Sequence, residues 1–223
     1  MSQPRPSSRA QVFSPGQALA VRIAMLVLLL AVAGLIAAGE WRERSYQALR
    51  QPVAQPIPFS HKHHVGDDGI DCRYCHTQVE TSRNAGLPGS SICLTCHSQL
   101  YTDAAVLQPL RESARTGQPI AWRRVHTLPD FVFFDHSVHV AKGVACVECH
   151  GRVDQMPLTW RAQPLQMQWC LGCHRKPEPH LRPREQVFEM RASTLSPAQS
   201  KALAQSVKLE STRRLTDCST CHR

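Results

Sequence analysis

The polar–apolar pattern divides the chain into two unequal parts. Residues 1–17 are polar and carry Pro4, Pro6, Pro15 and several serines, the composition of a short disordered tail. From Ala18 the chain turns apolar, and after Arg22 an uncharged run extends from Ile23 to Gly39. As a helix this run spans about 25 Å, enough for a hydrocarbon core with Arg22 reaching to its edge. A secretory leader carries a hydrophobic stretch of up to about 15 residues. Residues 18–41 are therefore expected to be a retained transmembrane signal anchor, not a leader cleaved at Ala37-Ala38-Gly39. Trp41 closes the span where an interfacial aromatic belongs. Residues 42–58 read as a linker that Pro52, Pro56 and Pro58 keep extended and stiff. Beyond it no stretch sustains strand-like alternation. Thr102-Asp103 opens like a capped helix that Gly117 and Pro119 close, and Ser196-Pro197-Ala-Gln199 is a capping box whose helix runs to about Leu209. The pattern predicts a mainly α chain with much irregular loop and one N-terminal transmembrane helix.

What organises the remainder is a five-residue word, C-x-x-C-H, written five times. It occupies Cys72–His76, Cys93–His97, Cys146–His150, Cys170–His174 and Cys218–His222, with second cysteines at Cys75, Cys96, Cys149, Cys173 and Cys221. This is the attachment word of c-type haem. Its two thiols add to the porphyrin vinyl groups, and the adjacent His gives iron a proximal ligand. A bare C-x-x-C also suits half a zinc site or a dithiol pair, but neither needs the following His. Zinc ribbons would use the words in pairs and leave a fifth over. All ten cysteines lie in the words, so none remains for a structural disulfide. Five covalently attached c-type haems, each with its iron, are the expected cofactors.

An internal repeat surrounds four of the words. Phe59-Ser-His61-Lys-His-His64 precedes the first two, and Phe134-Asp-His136-Ser-Val-His139 precedes the next two. Each copy is F-x-H-x-x-H followed by two words, which gives two histidines for two haems. An i, i+3 pair lies on one side of a helical turn and can serve two neighbouring rings. The expected organisation is a haem domain over 59–223, with repeat one at 59–100, repeat two at 134–176 and a C-terminal haem segment at 194–223. The proximal iron ligands are His76, His97, His150, His174 and His222. The distal candidates are His61, His64, His136 and His139, with His126 as the fifth, for a haem outside the two-by-two scheme such as the C-terminal one. His63 reads as a residue with a solvent or propionate role, His180 as a surface residue, and Met156 and Met167 as reserve ligands.

Composition and charge refine this. Aromatic residues are 6% of the chain, thin for an ordinary core, which five porphyrins would supplement with apolar surface. The formal charge of +9 would suggest nucleic acid or an acidic surface, but each haem adds two propionates, which pair readily with Arg. The loaded protein is expected near neutrality, with no nucleic-acid partner.

Four stretches carry a family resemblance: Phe59–His64, Ile120-Ala-Trp-Arg-Arg-Val-His126-Thr-Leu-Pro-Asp-Phe131, Phe134–His139 and Trp169-Cys-Leu-Gly-Cys-His174. Together with the single N-terminal helix they resemble the membrane-anchored pentahaem subunit of alternative complex III, a bacterial quinol:electron-acceptor oxidoreductase. The F-x-H-x-x-H start also resembles the small c3 and c7 cytochromes, in which the first His serves the nearest haem and the second another. His63 inside the first motif is a departure. The resemblance implies a relay: polytopic partners oxidise quinol, a molybdopterin-family-like iron–sulfur subunit carries the electrons, and the pentahaem chain passes them towards a monohaem cytochrome c or an oxidase. It implies no catalytic residue in this chain. Haem attachment places the domain on the outer, periplasmic face of the cytoplasmic membrane, in a respiratory or photosynthetic chain.

Three other functions compete. A multihaem reductase of nitrogen compounds needs an iron with an open or unusual site, yet all five words end in His. A stand-alone anchored quinol dehydrogenase usually places its first word soon after the membrane helix, whereas 32 residues separate Gly39 from Cys72 here. An isolated periplasmic shuttle would require cleavage of the anchor.

Overall fold

The computed structural model describes residues 14–222; most of the expected tail (1–13), and Arg223 at the end of the expected haem domain, lie outside it. The described chain forms two compact units, one ending at Ala48 and the other beginning at Leu49.

The first unit is essentially one helix, α1 (Pro15–Leu49). It outlasts the expected span at Trp41. The polar residues beyond the apolar run still favour helix: Arg44 lies 4.0 Å from Glu40 one turn earlier, and the Ser45 hydroxyl donates to the Trp41 carbonyl at 2.8 Å. Pro15–Leu49 is long and apolar enough to cross a membrane, with a mean hydropathy of 2.7 over its most apolar stretch. Leu28, Leu29 and Leu30 are about two-thirds exposed, the surface a helix offers to lipid.

The second unit is built from short helices, and its words are among them. Words one and two lie on α2 (Cys72–Cys75) and α3 (Ser90–His97), and α4 (Gln108–Thr116) follows. Next come α5 (His136–Ala141), α6 (Cys146–His150) and α7 (Met167–Arg175), then α8 (Pro197–Ser206), α9 (Thr212–Leu215) and α10 (Cys218–Cys221). Among the described residues there is no strand, only isolated bridges between Val132 and His222 and between Val144 and Leu181. The mainly α expectation holds. The capping box at Ser196 forms as predicted, with both reciprocal bonds present. Thr102 and Asp103 do not cap a helix. The chain passes first through a 3-10 turn at Ala105–Leu107, and α4 starts with Pro109 in its first turn, then ends at Gly117 in the left-handed conformation (φ 72°).

The two F-x-H-x-x-H copies differ locally. The second opens α5, capped by the Asp135 carboxylate. The first runs into a π-helical turn, Lys62–Asp67. The step from second His to next Cys is eight residues in copy one and seven in copy two, and the wider turn takes up the extra residue.

The linker is docked, not free: the Gln55 side chain donates to the Arg123 carbonyl (2.8 Å) and accepts from the Arg123 amide (2.9 Å). Among the described residues the largest fully buried side chains are Leu110, Met156, Leu181 and Val187, and an apolar cluster of Val79, Val140 and Val187 joins the two copies.

Candidate haem-attachment sites

Each word contributes a helical turn, which puts both of its cysteines on one short element beside its His. None of the ten cysteines is paired in a disulfide. Among the described residues no three His, Cys, Asp or Glu side chains converge as a bare metal ion would require.

The histidine rings come together in pairs. His64 and His97 have ring centroids 6.2 Å apart, His136 and His150 6.2 Å with planes inclined by 11°, and His139 and His174 6.2 Å. Two imidazoles bound to one iron through nitrogens at about 2 Å hold their centroids roughly 6 Å apart. Each of these pairs joins a word's His to an F-x-H-x-x-H histidine. His61 lies near His76.

The second nitrogens set the tautomer. The Nδ1 atoms of His64 and His139 donate to the Ser60 (2.9 Å) and Asp135 (2.7 Å) carbonyls, each four residues back. His76, His97 and His174 donate to Gly86 (2.8 Å), Leu100 (3.1 Å) and Leu215 (2.8 Å). His136 donates to Arg83 (2.8 Å) and His222 to Phe131 (3.3 Å), while Nδ1 of His61 bonds the Thr159 hydroxyl (2.9 Å). With Nδ1 committed, Nε2 carries the lone pair that a metal needs. Burial reinforces this: it lowers the pKa of His61 and of His126 to about 4 and that of His150 to about 3, so these rings are neutral near pH 7.

His126 lies against word three. Its ring packs edge-on against His150 at 4.4 Å, too close to stand across an iron from it, and its Nε2 is buried without a hydrogen-bond partner. Phe131 is the ring that stacks on His222, at 5.9 Å. His63 is exposed beside Asp67 and Asp68, as expected of a surface residue. Met156 is fully buried and Met167 exposed.

Sequence reasoning missed three features. The Phe of each motif stands between its two histidines: Phe59 lies 4.9 Å from His61 and 4.4 Å from His64, and Phe134 lies 4.7 Å from both His136 and His139. Its recurrence two residues before the first His was the available signal. Thr159 and Arg83, which hold His61 and His136, had none. The third is a cluster on word three. His180 is no idle surface residue: its Nδ1 lies 2.7 Å from Glu148, which raises its pKa, and Arg182 approaches the same carboxylate at 3.6 Å. Arg182 is 3% exposed, and its Nε and Nη2 have no hydrogen-bond partner. Nη1 donates to the Glu189 carbonyl (3.0 Å), and a haem propionate beside this cluster would give the remaining buried donors an acceptor. The donor set fits c-type haem: thiols in helical turns, imidazoles in pairs, and a buried cation for a carboxylate.

The fold class is thus that of a multihaem c-type cytochrome, mostly helical, strandless among the described residues, and with one N-terminal apolar helix. Residues 113–222 match the family described as cytochrome c552. A stretch of 97 residues is 40% identical to the menaquinone reductase, multiheme cytochrome c subunit, of Nitratidesulfovibrio vulgaris. That match covers 43% of this chain and spans 45% of the relative's length. Both likenesses support covalently bound c-type haem and a role in electron transport.

Proposed function

We propose that this chain is the electron-relay subunit of a quinone-linked membrane complex and carries five c-type haems, one per word. The observation that carries the reading is the paired imidazoles: three word histidines each face a second histidine at the spacing of a doubly ligated iron. Each haem supplies a reversible one-electron couple when bound. The chain's own residues do the rest. Cys72, Cys75, Cys93, Cys96, Cys146, Cys149, Cys170, Cys173, Cys218 and Cys221 hold the rings covalently. His76, His97, His150, His174 and His222 are the proximal ligands, with His61, His64, His136 and His139 opposite them in the two repeats and His126 the remaining candidate. Filling both axial positions leaves no site for a substrate and keeps the coordination similar in both oxidation states, as a relay requires. Residues 18–41 would anchor the chain and residues 59–223 would form the haem domain on the outer face of the membrane.

In the finer reading the complex resembles alternative complex III: polytopic partners oxidise quinol, and electrons reach this chain through an iron–sulfur subunit and leave to a monohaem cytochrome c. The relative's name supports a second reading with the opposite direction, in which electrons pass towards menaquinone. Purification from mild detergent, with mass spectrometry of the accompanying chains, tests both. The expected result is co-purification with an iron–sulfur subunit and polytopic partners, and reduction of the haems by quinol only in that assembly. Quinone reduction driven by a reduced cytochrome c in the same assembly would select the second reading. A chain that purifies alone and is reduced directly by quinol is itself a quinol dehydrogenase, and the relay reading fails.

A further inference from the structure

Resting on that reading, we infer that the five words stand in the file two–one–three–four–five, so that the second and the fifth are the ends where the relay meets its partners.

Four contacts build the file. Words one and two touch through their variable residues: the Tyr74 hydroxyl is 2.7 Å from the Thr95 hydroxyl. Words one and three lie side by side, with the Cys72 and Cys146 thiols close enough to act on each other. Words three and four are bridged by one turn of α5, whose His136 faces His150 and whose His139 faces His174. Words four and five are joined where His174 donates to the carbonyl of Leu215, the last residue of α9, just ahead of word five.

The central step from one to three follows from a reciprocal clasp. The amide after His61, that of Lys62, donates to Met156 (3.1 Å), and the amide after His136, that of Ser137, donates to Ser82 (3.2 Å). Met156 and Ser82 are each the sixth residue after the His of their copy's first word, so the register is identical in both directions. Each repeat's histidine turn is therefore held by the loop that follows the other repeat's first word. His61 bonds Thr159 and His136 bonds Arg83 in the same loops. The clasp sets the two first words side by side and leaves each second word outward. Word four continues to word five, and word two continues to none.

Exposure points the same way. Of the ten cysteines, Cys96 and Cys218 are exposed and the other eight are partly covered. One belongs to word two and the other to word five. A partner bearing a one-electron centre, iron–sulfur or haem, reaches the file most closely at these two words.

The test is the set of iron positions in the full haem-loaded chain, located at the iron absorption edge in crystals or by cryo-microscopy of its complex. The expected nearest-neighbour order is two–one–three–four–five. An iron of word two nearest to that of word three, four or five, or another iron between those of words one and three, overturns it. A second measurement works in solution. Cys93→Ala with Cys96→Ala removes word two and should shift the reduction equilibrium of one remaining haem, by up to about tenfold, which is 59 mV for a one-electron couple. Cys146→Ala with Cys149→Ala removes word three and should shift two. The reverse pattern also overturns the file. Neither readout depends on quinol or on partner identity, so the relay reading can fail while the order stands.

Discussion

At the scale of single residues, the cluster on word three makes the sharpest demands. Arg182 is buried with Nη1 on the Glu189 carbonyl (3.0 Å) and Nη2 facing the Glu148 carboxylate at 3.6 Å, which leaves Nε without an acceptor. Replacing it by Gln would remove a positive charge beside the haem proposed for word three and so favour the ferric form. Redox titration of Arg182→Gln should show one midpoint falling, by up to about tenfold in its reduction equilibrium. Arg182→Lys should fall less, because it keeps the charge and loses only the fork. An unchanged set of midpoints would leave Arg182 a purely structural residue. Its neighbour His180 predicts a pH effect. Glu148 raises the His180 pKa in the folded state above the ordinary value of 6.5. The pair therefore stabilises the fold fully below about pH 6.5, and the contribution fades as pH rises through the raised value. The Tm difference between the native protein and His180→Gln should be larger at pH 6 than at pH 9, and an equal difference at both would remove the ion pair from the account.

At the scale of elements, the clasp is held by backbone approach. Gly66, in the π turn, faces the Asp154 carbonyl so closely that a Cβ would overlap the oxygen. Gly66→Ala should cost about 2 kcal/mol or more, read from thermal unfolding of the full haem-loaded chain. Gly172→Ala in α7, where a Cβ would meet nothing, should be neutral or stabilising by up to about 1 kcal/mol. Equal effects would mean that the clasp adds nothing. These elements also mark what could be read without coordinates. The words, the F-x-H-x-x-H repeat and the capping box at Ser196 were legible because residue types at fixed spacing carry their chemistry. The clasp was not, because its acceptors, the carbonyls of Ser82, Arg83 and Met156, are present in every residue and have no signature. Nor was the end of α1, where Glu40 and Arg44 extend a helix that hydropathy alone would stop. Counting assigned His126 to the haem left over, but counting carries no distance, and the fold seats this ring against His150.

At the scale of the whole molecule, charge and core tell one story. Among the described residues the largest fully buried side chains are Leu110, Met156, Leu181 and Val187, and the formal charge is +9. A domain with so small a core of its own depends on bound porphyrin for apolar burial, and the porphyrins bring the counter-charge as well. With one haem on each word, as proposed, two propionates per ring, offset by one net charge per ferric iron, would remove about five positive charges from the oxidised protein and about ten from the reduced one. The oxidised form should thus remain cationic and the reduced form lie close to neutral. Reduction leaves the polypeptide charge unchanged, so a difference between the two states reports the haems alone. In detergent at pH 7 and low salt, where unscreened charge governs retention, the dithionite-reduced protein should elute from a cation exchanger well ahead of the ferric protein. Coincident elution would mean that far fewer than five irons change state. A shift that shrinks stepwise as words are removed by paired Cys→Ala substitutions would count the haems one at a time.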